Sequence, residues 1–414
     1  MNSRQQGLRH LAYFERLARL EETDTEWRAT TAGLVVLRLL DAWMEEGPEQ
    51  VHAGSWSFEA AREEVDTVSV GNPVRTILAG VLEGMADTRT RTITTIAPRL
   101  MAYGRSLNLT GRWQLAADVY QTILAHAHPN EDVDLLIDAN MRLGYCLRMQ
   151  GQFGPAMAAY ADAGQLASEI GDVAKVIRVR IADAKIAIDR GNLPEAEAIL
   201  DRTIAETRDE NKLSEVHATA LHDRAAVAHL RGDYERAIHL AYDALDLTED
   251  PGARDRVLAD IAASFFELGM RSAARDAQLI LAATAQAQYI RWMATLNLLE
   301  IAAFDECEPI FEQYRRELGA APLPPMLETV YHLYVGNGCR LFGHLDAARE
   351  SLRHAVELAT KHEFNQLSFT AQKNLDELEQ GVAAERRAAS PPKESVLPVA
   401  AAIHSMRRLA GIDG

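Results

Sequence analysis

The sequence carries only three cysteines in 414 residues, and aromatic side chains make up 6% of it. Cys146, Cys307 and Cys339 are too few and too scattered for a disulfide framework or a zinc site. Positive charge is short as well: 43 Lys and Arg stand against 60 Asp and Glu, a formal charge of −17. A field of that sign repels phosphate and argues against general nucleic-acid binding. Long hydrophobic runs are missing. The most apolar stretch, Ala32 to Met44, is broken by Arg38 and Asp41. It is shorter than the roughly 20 residues a membrane helix needs, so we read it as a buried amphipathic helix with no membrane insertion. Met1 to His10 lacks the apolar core of a secretory leader, and with unpaired cysteines the expectation is a cytoplasmic protein. What is present, 48% hydrophobic residues, suffices for a sizeable core and excludes disorder along the whole chain.

Catalytic signatures are absent too. The chain has no phosphate-binding glycine loop ending in Lys-Ser/Thr, no GxSxG, no HExxH and no GxGxxG. His217, His222, His229 and His239 crowd one region, and His222 and His229 fall on one helix face. Seven residues at ~1.5 Å rise hold them roughly 10 Å apart, too far to share one ion. The pairs Glu21-Glu22 and Glu63-Glu64 read as solvated faces. No cofactor, no metal and no enzymatic activity are expected.

Internal repetition organises the rest. A small residue, then an apolar residue two positions on, then a small residue three further recurs down the chain. The copies are Gly111-x-Trp113-x-x-Ala116, Gly151-x-Phe153-x-x-Ala156, Gly191-x-Leu193-x-x-Ala196 and Gly232-x-Tyr234-x-x-Ala237. Gly269-x-Arg271-x-x-Ala274, a degenerate Ala302-x-Phe304-x-x-Cys307 and Gly343-x-Leu345-x-x-Ala348 complete the series. The anchors are spaced 40, 40, 41, 37, 33 and 41 residues apart. Glycine ends one helix in a left-handed turn, the apolar residue fills the corner, and alanine lets the second helix approach closely. Tyr120, Tyr160, Leu200 and Leu352 follow the alanine by four residues, at the helical period.

The pattern Leu143-Gly144…Gly151-x-Phe153-x-x-Ala156…Tyr160…Ala163 resembles the tetratricopeptide repeat. The resemblance covers about residues 97 to 360. It departs from the family in its longer period and in mostly lacking the terminal proline. It implies an all-α fold: a right-handed α-solenoid of helix pairs with an N-terminal helical region and a C-terminal capping helix. The expected organisation is 1–96 as a helical bundle or degenerate repeats, 97–362 as seven repeats, 363–387 as the capping helix, and 388–414 as linker and tail. Helices are expected over Leu8 to Glu22, from Asp24 or Thr25 through Met44 to a Gly47-Pro48 break, over Trp56 to Val68, and from Pro73 through Met85. The tail, Val396 to Ile412, is read either as a disordered end or as a short docking helix.

In tetratricopeptide proteins the first helix of each pair lines the concave face. Carried onto this chain, that register implies a partner-binding wall of Arg105, Asn108, Met141, Tyr145, Arg148, Arg178, Lys185, His222, His229, Arg256, Tyr289, Trp292, Asn337 and Arg340. The wall is more basic than the protein as a whole, which suits an extended, acidic peptide or a segment of another protein. The asparagines suit hydrogen bonds to a peptide backbone. Three readings stay open. The first is a non-enzymatic scaffold that binds a protein or peptide. The second is a peptide-responsive signalling regulator whose N-terminal bundle moves, with Gln5, Gln6 and Gln50 as candidates for a phosphatase role. The third is self-association into a homo-oligomer.

Overall fold

A computed structural model describes residues 9–46, 57–86, 92–384 and 393–412, and twenty α-helices lie among them. The Gly47-Pro48 break, Trp56, the glutamines Gln5, Gln6 and Gln50, and the linker over 388–392 lie outside the described residues. Among the described residues every regular element is helical, and successive helices pair as the repeat pattern of the sequence predicts. The chain divides into two compact units, Met1–Asn192 and Leu193–Gly414.

In the first unit, α1 (Leu11–Leu17), α2 (Thr25–Glu46), α3 (Phe58–Thr67) and α4 (Pro73–Ala86) precede α5 (Ile93–Leu109), α6 (Trp113–His126), α7 (Val133–Met149), α8 (Phe153–Glu169) and α9 (Val173–Asp189). One core runs without a break from Tyr13 through Trp43, Leu78 and Tyr120 to Ala159. The N-terminal helices therefore share their apolar interior with the first repeats. Full burial of a side chain the size of Trp43 is worth roughly 3 kcal/mol.

Two charge clusters fasten α1 and α2 to the first repeat. Glu26 accepts from Arg16 at 2.7 Å and from Arg112 at 2.8 Å. His10 bridges Asp118 at 2.5 Å and Asp41 at 3.1 Å, and Asp41 also takes His126 at 2.7 Å. His10 does so from a left-handed backbone conformation, φ 59°.

Helix pairing follows the small-large rule of the repeat. A Cβ on Gly144 would stand 2.4 Å from the Tyr160 ring, and one on Gly104 would stand 2.5 Å from Tyr120. No side chain larger than hydrogen fits there. The turns after α5 and α7 put Gly111 and Gly151 at φ 74° and 71°.

The second unit comprises α10 (Leu193–Thr207), α11 (Ser214–Leu230), α12 (Tyr234–Leu247), α13 (Pro251–Glu267), α14 (Arg271–Thr284), α15 (Gln288–Phe304), α16 (Glu308–Gly319), α17 (Pro325–Leu341), α18 (Leu345–Lys361), α19 (Asn365–Glu379) and α20 (Leu397–Leu409). Asp233 and Asp250 cap α12 and α13 by accepting from backbone N–H groups at 3.3 and 2.7 Å.

The sixth turn lies four residues later than the sequence pattern places it. α15 continues through Phe304, and Glu306, not a glycine, takes the left-handed turn at φ 55°. The position reserved for alanine then falls on Phe311. The swap is compensated across the interface: a Cβ on Gly338 of α17 would stand 2.2 Å from the Phe311 ring.

The helix expected to reach Arg387 stops at Glu379, and Gly381 turns the chain at φ 71°. The tail forms a helix that docks on the second unit itself. α20 packs on α14 and α12 and buries Val396, Val399 and Ile403. His404 and Arg407 reach Asp276 of α14 at 2.7 and 3.1 Å. Lys393 reaches Glu235 of α12 at 3.5 Å, and Ser395 donates to the same carboxylate.

Candidate functional site

In the first unit, the facing sides of α5, α7 and α9 enclose a cavity of about 500 Å³. Arg105, Asn108, Met141, Tyr145 and Arg178 from the sequence-derived wall line it together. The register explains this: these residues stand on the first helices of three successive pairs. Two cations that the sequence reading passed over, Arg142 and Lys175, complete the lining with Ile137, Leu109 and Asp138. Arg142 lies 37 residues after Arg105, close to one repeat, which is the signal that locates it.

The floor is a polar network. Asn108 donates to the Tyr120 hydroxyl at 3.4 Å and accepts from the Cys146 thiol at 3.1 Å. Burial pushes the Cys146 thiol up to about 12, so it stays protonated and is no nucleophile at neutral pH. Lys175 is engaged by Asp134 and by Asp172 at 3.8 Å. Arg105 is exposed at the rim, and Tyr145 is 38% exposed. Cations, one phenol and apolar side chains thus face one space, with a single carboxylate among them. Such a surface holds a negatively charged group beside an apolar one.

The remaining members of the wall lie outside this cavity, and several of them bond to neighbouring helices. Arg148 pairs with Asp189 at 2.5 Å and lies 5.5 Å over the Tyr145 ring. Lys185 is half-buried on α9, outside this cavity. In the second unit, His222 bonds Asp260 at 2.6 Å, and His229 bonds Ser264 at 2.9 Å. Arg340 is buried; it pairs with Glu377 at 3.3 Å and donates to the Val382 and Ala383 carbonyls at 2.5 and 3.2 Å. Arg256 and Tyr289 are exposed, and Trp292 packs against the core around Leu296 and Leu299. Arg148 to Asp189, His222 to Asp260 and Arg340 to Glu377 each span about one repeat. Each of these pairs links two helices within its own unit.

A second cavity, of about 530 Å³, lies within the second unit. It gathers His229, Asn337 and Arg340 but not His222, Arg256, Tyr289 or Trp292. Asn374, one repeat after Asn337, donates to its side-chain oxygen at 2.9 Å. Asn297 also lines this space, with Glu267, Glu300 and Glu377. Among the described residues, no group of three or more His, Cys, Asp or Glu is placed to hold a metal ion. Nor is any helix among them long and apolar enough to cross a membrane.

No family model matches this sequence, and no curated protein matches it. Solved structures do. One is the Rap conjugation gene regulator of plasmid pLS20 in complex with the Phr* peptide: 13% identity, 86% of this chain, 98% of that chain, TM-score 0.47. Another is NprR in complex with its cognate peptide NprX: 15% identity, 83% of this chain, 98% of that chain, TM-score 0.44. A third is the signal-transduction ATPase with a tetratricopeptide repeat sensor, PH0952 from Pyrococcus horikoshii: 10% identity, 99% of this chain, 68% of that chain, TM-score 0.36. These likenesses are too distant to carry function.

Proposed function

We propose that the protein is a non-enzymatic, cytoplasmic binding scaffold, and that the cavity between α5, α7 and α9 holds an extended peptide or protein segment. The observation that carries this is the convergence of Arg105, Arg142 and Arg178 with Tyr145 and Met141 around one open space. The ligand such a lining selects is a segment pairing a carboxylate with an apolar or aromatic side chain. Arg fits the carboxylate through its planar fork of donors. Tyr145 and Met141 supply apolar contact to the neighbouring residue.

The regulator reading, in which ligand binding moves the N-terminal helices, is less favoured. Moving α1 and α2 off α6 would break both the Glu26 cluster and the His10 cluster. It would also open a core that is continuous from Tyr13 to Ala159.

The test is affinity capture of peptides from a proteolysed cytoplasmic extract. It uses the wild-type chain and Arg105→Glu/Arg178→Glu. Acidic, apolar-flanked peptides enriched by the wild type and lost by the variant are the expected result. Enrichment of the same peptides by both would place binding elsewhere.

A further inference from the structure

A third cavity, of about 580 Å³, opens in the first unit where α1 meets the turn between α5 and α6. Two guanidiniums line it, Arg16 from α1 and Arg112 from the turn. The chain carries a formal charge of −17, yet no Asp or Glu is among the residues lining this space. Trp113, Leu115 and Met149 supply apolar surface. The Trp113 ring is half-buried against Gly111, and Met149 is exposed.

Glu26 does not saturate the two arginines. Its carboxylate takes the Nε of Arg16 at 2.7 Å and that of Arg112 at 2.8 Å, and one terminal nitrogen of each at 2.6 Å. Two positive charges therefore meet one negative charge. Among the described residues, neither Nη1 bonds to a second partner, and the two side chains keep 40% and 28% of their surface accessible. A guanidinium donates from more than one edge, so each can hold Glu26 with one edge and an incoming anion with another. Two forks that converge from separate elements suit the three oxygens of a phosphate dianion. The space is larger than a phosphate and falls in the range of small organic ligands.

We infer that this cavity binds a small phosphate monoester with an apolar or aromatic body. The phosphate oxygens accept from Arg16 and Arg112, and the body lies along Trp113, Leu115 and Met149. Because the two arginines stand on separate elements, the bound ligand ties α1 to the first repeat. The site shares no residue with the cavity between α5, α7 and α9, so it stands independently of the peptide-binding reading.

Isothermal titration calorimetry of the full chain tests it, with phenyl phosphate, inorganic phosphate and benzoate as probes. At about pH 8 the phosphate is a dianion, since its second pKa is about 6. Phenyl phosphate is expected to bind most tightly of the three. Its dissociation constant should rise at least about tenfold in Arg16→Gln/Arg112→Gln, the size of a lost charge-assisted contact. In Glu26→Gln it should fall several-fold, because the competing carboxylate is gone. That variant keeps both arginines and serves if the double variant fails to fold, and an unchanged thermal midpoint verifies either one. Arg105→Glu/Arg178→Glu should bind phenyl phosphate as the wild type does. Hydrogen exchange over 11–17 should slow when phenyl phosphate is bound. No binding of phenyl phosphate to the wild type, equal binding by wild type and Arg16→Gln/Arg112→Gln, or weaker binding by a folded Glu26→Gln overturns the site. Benzoate bound as tightly as phenyl phosphate overturns the phosphate assignment. Loss of phenyl phosphate binding in Arg105→Glu/Arg178→Glu overturns its placement here.

Discussion

Replacing His10 with Asn is expected to destabilise the first unit at neutral pH, and the loss should fade as the pH rises. His10 is buried between two carboxylates, Asp41 and Asp118, with Arg9 and His126 also on Asp41 and Glu45 on Arg9. Burial works against the charged imidazole, but the hydrogen bonds to Asp118 and Asp41 outweigh it. They raise the pKa from 6.5 to about 9. A group raised in the folded state stabilises fully below its unfolded pKa and loses that contribution as pH climbs through its folded pKa. The shift corresponds to about 3 kcal/mol, present near pH 6 and largely gone by pH 10. The depressed Asp41 pKa, despite its own burial, reflects the same bonds to His10 and His126 and is not counted again.

Asn tolerates the left-handed backbone of position 10, so the substitution isolates the charge. Urea unfolding at a series of pH values, followed by tryptophan fluorescence, reads the effect. Among the described residues, Trp27, Trp43 and Trp113 belong to the first unit and Trp292 to the second. A stability gap that is flat from pH 6 to pH 10, or that widens with pH, refutes the reasoning.

Three other outcomes are expected. Gly338→Ala drives a methyl into Phe311 and should cost about 1–3 kcal/mol, whereas Gly154→Ala, on an open helix surface, should gain about 0.5–1 kcal/mol; thermal unfolding of both variants distinguishes them. Glu306→Gly relieves a left-handed non-glycine turn and should raise stability by up to about 1 kcal/mol, as read by the denaturation midpoint. Ile403→Ala removes a buried anchor of α20 and should cost about 2–5 kcal/mol of tail docking; hydrogen exchange should then accelerate across 397–409 while α17 and α18 stay protected.

The repeat was legible because its signals are local. A glycine that turns the chain, and an alanine or tyrosine at helical spacing, sit within one pair of helices. The sixth turn was not legible because its compensation is distant: Phe311 fits only because Gly338 lies across from it, and no local pattern links the two. The docking of α20 was hidden for the same reason. Asp276 on α14 looks like a solvated charge until His404 and Arg407 are seen to reach it. For the candidate site, register placed Arg105, Asn108, Met141, Tyr145 and Arg178 around one space. It could not tell which cations are engaged. The partner of Arg148 is Asp189, one repeat away, and only comparing charges at the repeat period would have paired them. The acidic lining of the second cavity was missed because Glu267, Glu300 and Glu377 stand on three separate helices with no shared motif.

The most direct test of the central claim is the affinity of one captured acidic segment, synthesised and titrated calorimetrically into three chains. These are the wild type, Arg105→Glu/Arg178→Glu and Arg148→Ala. A cavity ligand held by charge-assisted bonds should weaken at least about tenfold in the double variant. It should change little in Arg148→Ala, whose guanidinium is engaged by Asp189. Equal affinity for wild type and double variant would contradict binding in the cavity between α5, α7 and α9.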